Sequence, residues 1–290
     1  MNETPSELVS VIIPAFNAQG TLRRAVASVL AQTHEDFEVL IVNDGSTDAT
    51  GAVADELAGE DDRVRVIHKE NGGPSHARNV GLSASRGQFI QFLDADDVIL
   101  PHKFEVQIRA LRDDPGAAAV YSQCASVDDF SGELYPATKG EAPLPLLDTL
   151  SYRNWFANMT PLLRRELVEQ VGSFDNALRG GEDYDYWIRC AKVGRFIYLP
   201  GEVGRYHLHP DQSHRMPGVI SSAQPILAQK HFGNDGVRRR RFLSYMHLET
   251  AKSNKADGDW LRCAANLARF AVNARSIREA RFVLRLSKSD

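Results

Sequence analysis

Four short apolar runs, each closed by a polar cluster, set the rhythm of the first hundred residues: Val9–Ile13 stopped by Pro14, Phe37–Val42, Val64–Ile67, and Phe89–Leu93. Continuous apolar runs of this length read as strands buried on both faces. Between them the apolar period lengthens to that of a helix. Leu22, Val26, Val29 and Leu30 recur at helical spacing behind Thr21, a candidate cap; Ala52, Val53, Ala54 and Leu57 follow Asp48; and a third helix is expected from about Ser75 to Ala84. Strands alternating with helices predict an α/β domain with a mainly parallel, Rossmann-like sheet flanked by helices. Ligands of such sheets bind beyond the carboxyl ends of the strands, where the strand order reverses.

The pattern is less regular after residue 100. It predicts a helix opened by Pro101 and running through Leu111, and a strand over Ala117–Gln123. A Pro-containing loop over 136–147, expected to be mobile, precedes a strand over Pro161–Arg164 and a short helix over Glu166–Val171. Next come a helix over Tyr184–Val193 and two strands, Phe196–Leu199 and Val203–His209. From about Ser221 the chain reads as wholly helical. Trp260, Leu261, Ala264, Leu267, Ala268 and Ala271 form one helical stripe, and Ile277, Ala280 and Leu284 another.

Composition narrows the class. The 290 residues are 43% hydrophobic and 25% charged, ordinary values for a globular protein long enough for one large domain or two smaller ones. A net charge of −4 gives no reason to expect nucleic acid as a partner. Cys124, Cys190 and Cys263 are odd in number and widely spaced, so neither a disulfide framework nor a zinc site is expected. A reducing cytoplasm is the simplest home. The N-terminus lacks the basic-then-apolar order of a signal peptide, and no run approaches the ~18 apolar residues of a membrane span.

Candidate chemistry gathers at the strand ends. Asp94, Asp96 and Asp97 place three carboxylates within four residues, directly after an apolar strand. Their mutual repulsion is relieved by a hard divalent cation, Mg²⁺ or Mn²⁺, which prefers oxygen ligands. A plain turn with a helix cap would use the same residue type. Asp44 also follows a strand and can accept a hydrogen bond from a base N–H; with Gly45 it can equally form an Asx turn. In Asn71–Asn79 the glycines permit close backbone approach, the helix N-terminus favours anions, and Arg78 can neutralise a phosphate. A simple connection with a surface Arg is the other reading. Neither a Walker lysine motif nor a dinucleotide-binding glycine fingerprint is present.

Taken together, Val9–Asn17, Ser28–Thr33, Phe37–Asp48, Ala77–Gly81 and Phe92–Asp97 resemble the family 2 glycosyltransferases of the GT-A fold, in order and at the usual spacings, over roughly residues 9–210. The resemblance implies an inverting, metal-dependent transfer of a sugar from a nucleotide-sugar donor, most simply a UDP-sugar, to a saccharide or lipid-linked saccharide, in polysaccharide or glycoconjugate biosynthesis. By the same resemblance, Asp44 bonds the donor's base, with Pro14, Phe16 and Asn17 beside the base and ribose. Arg78 lies near the diphosphate, and Asp94 and Asp96 form the D-x-D pair, Asp96 being the direct metal ligand and Asp97 supporting. Asp183 is the acceptor-side base, with Glu182 beside it, and His209 approaches the metal or phosphate. His207 stands where the family pattern carries Arg.

The implied division is a GT-A domain over 1–220, with a donor half at about 9–100 and an acceptor half at about 101–220, followed by a helical extension over 221–290. A nucleotidyltransferase would use the acids around Asp96 but leave Glu182 and Asp183 without a role. A non-catalytic sugar-nucleotide-binding scaffold would not need Asp183 at all. In the tail, Arg238–Arg241 with Phe242, Tyr245 and Met246 can make peripheral contact with an anionic membrane at its inner face, or form the solvated side of a packed helix.

Overall fold

All eight residues of Phe37–Asp44 are buried, as are all of Val9–Ala15 except the half-buried Pro14. Strands covered on both faces must carry apolar side chains in both directions, which is why these runs do not alternate. The computed structural model describes residues 7–135, 140–178, 180–208, 219–256, 258–274 and 277–286. They fall into two compact units.

The first unit comprises Met1–Glu141, Phe156–Ala177 and Arg189–His209. Its described strands are β1 (Val9–Ala15), β2 (Phe37–Asp44), β3 (Val64–Lys69), β4 (Phe89–Phe92), β5 (Val98–Ile99), β6 (Ala119–Asp128), β7 (Leu134–Tyr135), β8 (Leu162–Arg164) and β9 (Phe196–Leu208). They form one sheet in the order β3-β2-β1-β4-β8-β6-β9-β5, with β7 on β6. β3, β2, β1 and β4 are mutually parallel; β8 is antiparallel to both β4 and β6. The chain steps outward from β1 to β2 and β3, then returns to lay β4 along the other side of β1. That reversal puts a topological switch point, and hence the natural ligand crevice, at the carboxyl ends of β1 and β4.

Helices α1 (Leu22–Leu30), α2 (Thr50–Glu60), α3 (Pro74–Ala84) and α4 (Lys103–Asp113) follow the strands as the pattern predicts. Close packing is tightest at Gly81 of α3, where an added Cβ would lie 2.4 Å from Ile12 Cγ2 of β1. A buried polar lattice ties the sheet's lower edge. Glu38 Oε1 accepts from Ser10 Oγ and from the Arg86 backbone N–H, both at 2.7 Å, and Oε2 from Arg86 Nε at 3.1 Å. Burial opposes ionisation of Glu38, but the bonds from Ser10 and Arg86 outweigh it and hold the carboxyl below its ordinary value. Behind β4, the buried Lys103 ammonium donates to the side-chain oxygens of Gln91 and Gln107. With only neutral partners, burial drives its pKa well below that of an exposed lysine.

Two local expectations change, and two short strands are new. Thr21 does not cap α1; its hydroxyl donates to Ala18 O. The two strands expected over Phe196–Leu199 and Val203–His209 are one element, β9. Pro200 and Gly201, which read as a break, are absorbed where the register against β6 slips between Tyr121–Tyr198 and Gln123–Glu202, as a β-bulge allows. The two-residue strands β5 and β7 escape any periodicity reading, because two residues define no period.

The second unit comprises Ala142–Trp155, Leu178–Ile188 and Pro210–Asp290. It holds α5 (Leu146–Thr149), α8 (Val219–Phe232), α9 (Gly236–Ala256), α10 (Trp260–Asn273), α11 (Ile277–Leu286) and the start of α7 (Glu182–Val193); the short α6 (Arg165–Val171) belongs to the first unit. The extension expected from 221 thus shares its core with two earlier segments. Tyr184 stacks on Phe242 with centroids 5.5 Å apart and donates from its hydroxyl to Leu150 O at 2.6 Å. Asp185, fully buried, meets Lys230 Nζ and His231 Nε2, each at 2.7 Å. Arg238 and Arg241 bond Asp148 at 3.0 and 3.2 Å, and Phe242, Tyr245 and Met246 are buried. The membrane-facing arrangement of Arg238–Arg241 with these three side chains is therefore not what forms; of the two tail readings, the packed helix is the one built. The 136–147 loop lies partly outside the described residues, and its end forms α5.

Candidate active site

At the end of β2, Asp44 is a nearly buried carboxylate held by its own chain. Oδ1 accepts from Gly72 N at 3.0 Å and Oδ2 from Gly73 N at 2.8 Å, while Lys69 Nζ donates to Oδ1. Lys69 is Asp44's register partner on β3, an opposite-charge pair placed by the ladder itself. Asp44 therefore fastens the 71–73 turn, from which α3 departs, to the end of β2. Gly45 is required beside it: its φ is +69°, and an added Cβ would lie 2.5 Å from Asn71 N. The β1 and β2 ends are stitched together by Asn17, whose φ of 50° is the one positive value at a described non-glycine residue. Its N–H donates to Ser46 Oγ at 3.0 Å and its Oδ1 accepts from Thr47 N at 2.9 Å. Phe16 projects into solvent next to this knot, and Pro14 is half-buried within β1.

Across the switch point, Asp94 leaves the end of β4 and is clamped on both oxygens. Arg78 donates to Oδ1 and Asn158 Nδ2 to Oδ2, each at 2.8 Å. Arg78 reaches it from α3 with its guanidinium over the Phe174 ring, 5.5 Å from the centroid. The backbone then turns, with Asp97 N donating to Asp94 O at 3.1 Å, and leaves Asp96 half-exposed. Asp97 points inward. Its Oδ1 accepts from His207 N at 2.9 Å, and its Oδ2 is buried with no hydrogen-bond partner. Burial first, then the charges of Asp96 and Asp94, push its carboxyl well above the usual carboxylate range. The His207 ring engages Asp129, which also takes Arg24 at 3.1 Å; Arg24 in turn donates to Asp96 O at 2.9 Å. For Asp129, burial is outweighed by these two partners, and its carboxyl stays below the ordinary value.

Whether these acids suit a divalent ion depends on what kind of site is meant. Among the described residues, no three His, Cys, Asp or Glu side chains gather into a closed metal cage. An ion held by one or two carboxylates and completed by substrate phosphates needs no such cage. The half-exposed Asp96 and the clamped Asp94 fit that open kind, with the buried Asp97 behind them. His209 lies outside the described residues.

In the second unit, Glu182, Asp183 and Asp185 occupy the first turn of α7, where the helix dipole favours acids. Asp183 Oδ1 accepts from Tyr184 N at 2.7 Å and Oδ2 from Asn154 Nδ2 at 3.0 Å. The Asp183 carboxylate is thereby held on both oxygens at the start of α7.

Five residues of these networks carry no motif signal: Asn158, Asn154, Lys69, Arg24 and Asp129. Lys69 was recoverable, since aligning the parallel strands Phe37–Asp44 and Val64–Lys69 end to end sets it opposite Asp44. Asn158 and Asn154 sit in irregular backbone, 64 and 29 residues from the acids they hold, and nothing in their neighbourhoods announces it.

Residues 10–174 match the family model described as Glycosyl transferase family 2. An uncharacterized glycosyltransferase of Rickettsia prowazekii is 34% identical over 208 residues, covering 68% of this chain and 63% of that one. The hyaluronan synthase of Pasteurella multocida is 33% identical over 258 residues, covering 87% of this chain and 26% of the synthase. The chain thus spans less than two thirds of the length of these relatives. Among solved structures, S. aureus TarS 1–349 in complex with UDP-GlcNAc superposes with a TM-score of 0.68 at 19% identity, over 91% of this chain and 81% of that one. The mannosyltransferase PcManGT from Pyrobaculum calidifontis, in complex with GDP-Man and Mn²⁺, gives 0.55 at 20% identity, over 95% and 83%. The expected GT-A fold is the fold of these neighbours. On its ordered motifs, its sheet and the match over residues 10–174, the chain belongs to glycosyl transferase family 2.

Proposed function

We propose that this chain is an inverting glycosyltransferase that moves a sugar from a nucleotide-sugar donor, a UDP-sugar, to an acceptor hydroxyl on a saccharide or lipid-linked saccharide during polysaccharide or glycoconjugate synthesis. The observation that carries the reading is the clamped Asp94: Arg78 and Asn158 fix both its oxygens at the switch point, next to the half-exposed Asp96. A hyaluronan synthase among the relatives, and neighbours in complex with UDP-GlcNAc and UDP, support the donor class.

Each residue has a task in this reading. Asp44, with two backbone donors and Lys69 already on it, keeps acceptor capacity for one further N–H from the base, since a carboxylate offers about four lone-pair sites. Pro14, Phe16 and Asn17 flank the base and ribose. Arg78 supplies positive charge near the diphosphate. Asp96 would hold Mn²⁺ or Mg²⁺, with Asp94 and Asp97 supporting, and His209 is assigned to the metal or phosphate. When bound, the ion neutralises charge growing on the departing diphosphate. Asp183, oriented by Asn154 and the α7 N-terminus, takes the proton of the incoming hydroxyl. Attack opposite the diphosphate inverts the anomeric centre, and Glu182 stands beside the base.

Calorimetric titration with UDP, with and without Mn²⁺, tests the donor site: binding should need the ion, and Asp96→Ala should weaken it while the fold persists. Affinity unchanged in EDTA overturns the metal assignment. NMR of the product's anomeric proton tests the stereochemistry, and a retained configuration rules out direct displacement.

A further inference from the structure

Helix α10 is apolar nearly all the way round, yet only one side of it is covered. It starts abruptly at Asp259, whose carboxylate accepts from Arg262 N at 3.1 Å, and packs on α9 through Cys263, Asn266 and Phe270. At 100° per residue the opposite arc, about 160° wide, holds Trp260, Leu261, Leu267 and Val272 with alanines between them. Among the described residues nothing covers this arc: Leu261 is 87% exposed, Val272 77%, Trp260 64% and Leu267 44%. A contiguous apolar face of this kind marks an interaction surface.

Charge indicates what fits it. Arg262 and Arg269 fall one behind the other on the polar border of the arc, both exposed, with Arg262 Nε 3.4 Å from Asp259 Oδ2. Around them, residues 236–290 carry thirteen Lys and Arg against five Asp and Glu, whereas the first 235 residues carry 21 against 33. In an acidic chain, the segment with an excess of positive charge is the one that includes the bare apolar arc. Apolar residues with a Trp on one face and arginines at the rim are the makeup of a helix lying in a bilayer interface, its cations reaching anionic headgroups. No helix among the described residues is long and apolar enough to cross a membrane, so contact by these helices would be peripheral.

We propose that the Trp260–Leu261–Leu267–Val272 face of α10, bordered by Arg262 and Arg269, docks on an anionic membrane surface. The proposal is independent of the donor-site reading. It also differs from a contact through Arg238–Arg241, two of which are engaged with Asp148.

The protein carries its own reporter. Of its three tryptophans, Trp155 and Trp187 are buried and Trp260 stands on the arc. The full chain is mixed with unilamellar vesicles of phosphatidylglycerol and phosphatidylcholine, and with vesicles of phosphatidylcholine alone. Expected are flotation with the anionic vesicles, a blue shift of tryptophan emission, and weaker binding in high salt. Trp260→Phe should float but lose the blue shift. Leu261→Asp with Val272→Asp, both at exposed positions, should cut vesicle partition at least about tenfold with an unchanged circular dichroism spectrum, and Arg269→Glu should do so by a similar factor. Failure to float, equal binding to neutral vesicles, or unaltered binding by the double variant overturns the proposal. So does light scattering showing a concentration-dependent oligomer that the double variant abolishes while vesicle binding is absent; the face would then belong to a second copy.

Discussion

Asn158 offers the sharpest test of the clamp, because truncating it removes one contact and little else. Its Nδ2 lies 2.8 Å from Asp94 Oδ2, while its backbone carbonyl, which accepts from Gln91 Nε2 at 3.3 Å, is unaffected by substitution. A hydrogen bond to a charged group contributes about 1.5–3 kcal/mol where water is excluded. The Asp94 side chain is 29% exposed, so water can take over part of the lost bond. The lower end, about 1–1.5 kcal/mol, is therefore the expectation for Asn158→Ala, and at 1.4 kcal/mol per decade this is about five- to tenfold in donor affinity. Asn158→Asp should be worse, since it sets a second carboxylate against Asp94, and its defect should shrink as Mn²⁺ is raised. The assay is calorimetric titration with UDP at fixed Mn²⁺, beside a thermal melt of each variant. If Asn158→Ala binds within twofold of the parent while Asp96→Ala binds measurably worse, Asp94 does not need its second clamp and the argument from geometry is wrong.

Other expectations concern the base, the packing and the pH response. Asp183→Asn should lower transfer by about 10²–10⁴-fold with donor affinity nearly unchanged, and Asn154→Ala should lower it less; near-normal turnover by Asp183→Asn moves the base to another residue, Glu182 first. Gly81→Ala places a methyl 2.4 Å from Ile12 Cγ2 and should cost about 1–3 kcal/mol of stability, read by denaturant unfolding; a neutral result would mean that α3 shifts freely on β1. The Glu38 carboxyl is held below its ordinary value in the folded state, so its stabilisation is complete above the unfolded carboxyl's pKa and lost as pH falls through the lower folded one. Glu38→Gln should therefore be less stable at pH 7 and should flatten the acid limb of the stability curve below about pH 4; parallel acid limbs for the two proteins would show that Glu38 carries none of it.

The sequence alone determined the donor half nearly element by element. Unbroken apolar runs demand burial on both faces, helical spacing fills the gaps between them, and that alternation leaves a parallel sheet with its ligands at the strand ends. The positions of Asp44, Arg78 and Asp94 at those ends follow from local pattern. Tertiary structure decided who holds them. Asp94 depends on Asn158, Asp183 on Asn154, and Asp97 on the backbone of His207, 110 residues away. Periodicity is a property of neighbours along the chain, whereas a side chain's partner is set by which distant segments the topology brings together. The same reason hid the second unit: 142–155 and 178–188 carry no mark of belonging with the tail, and the buried meeting of Asp185 with Lys230 and His231 exists only once they are packed together. Even β9 obeys the rule, since whether Pro200 and Gly201 end a strand or merely bulge it depends on β6 continuing alongside.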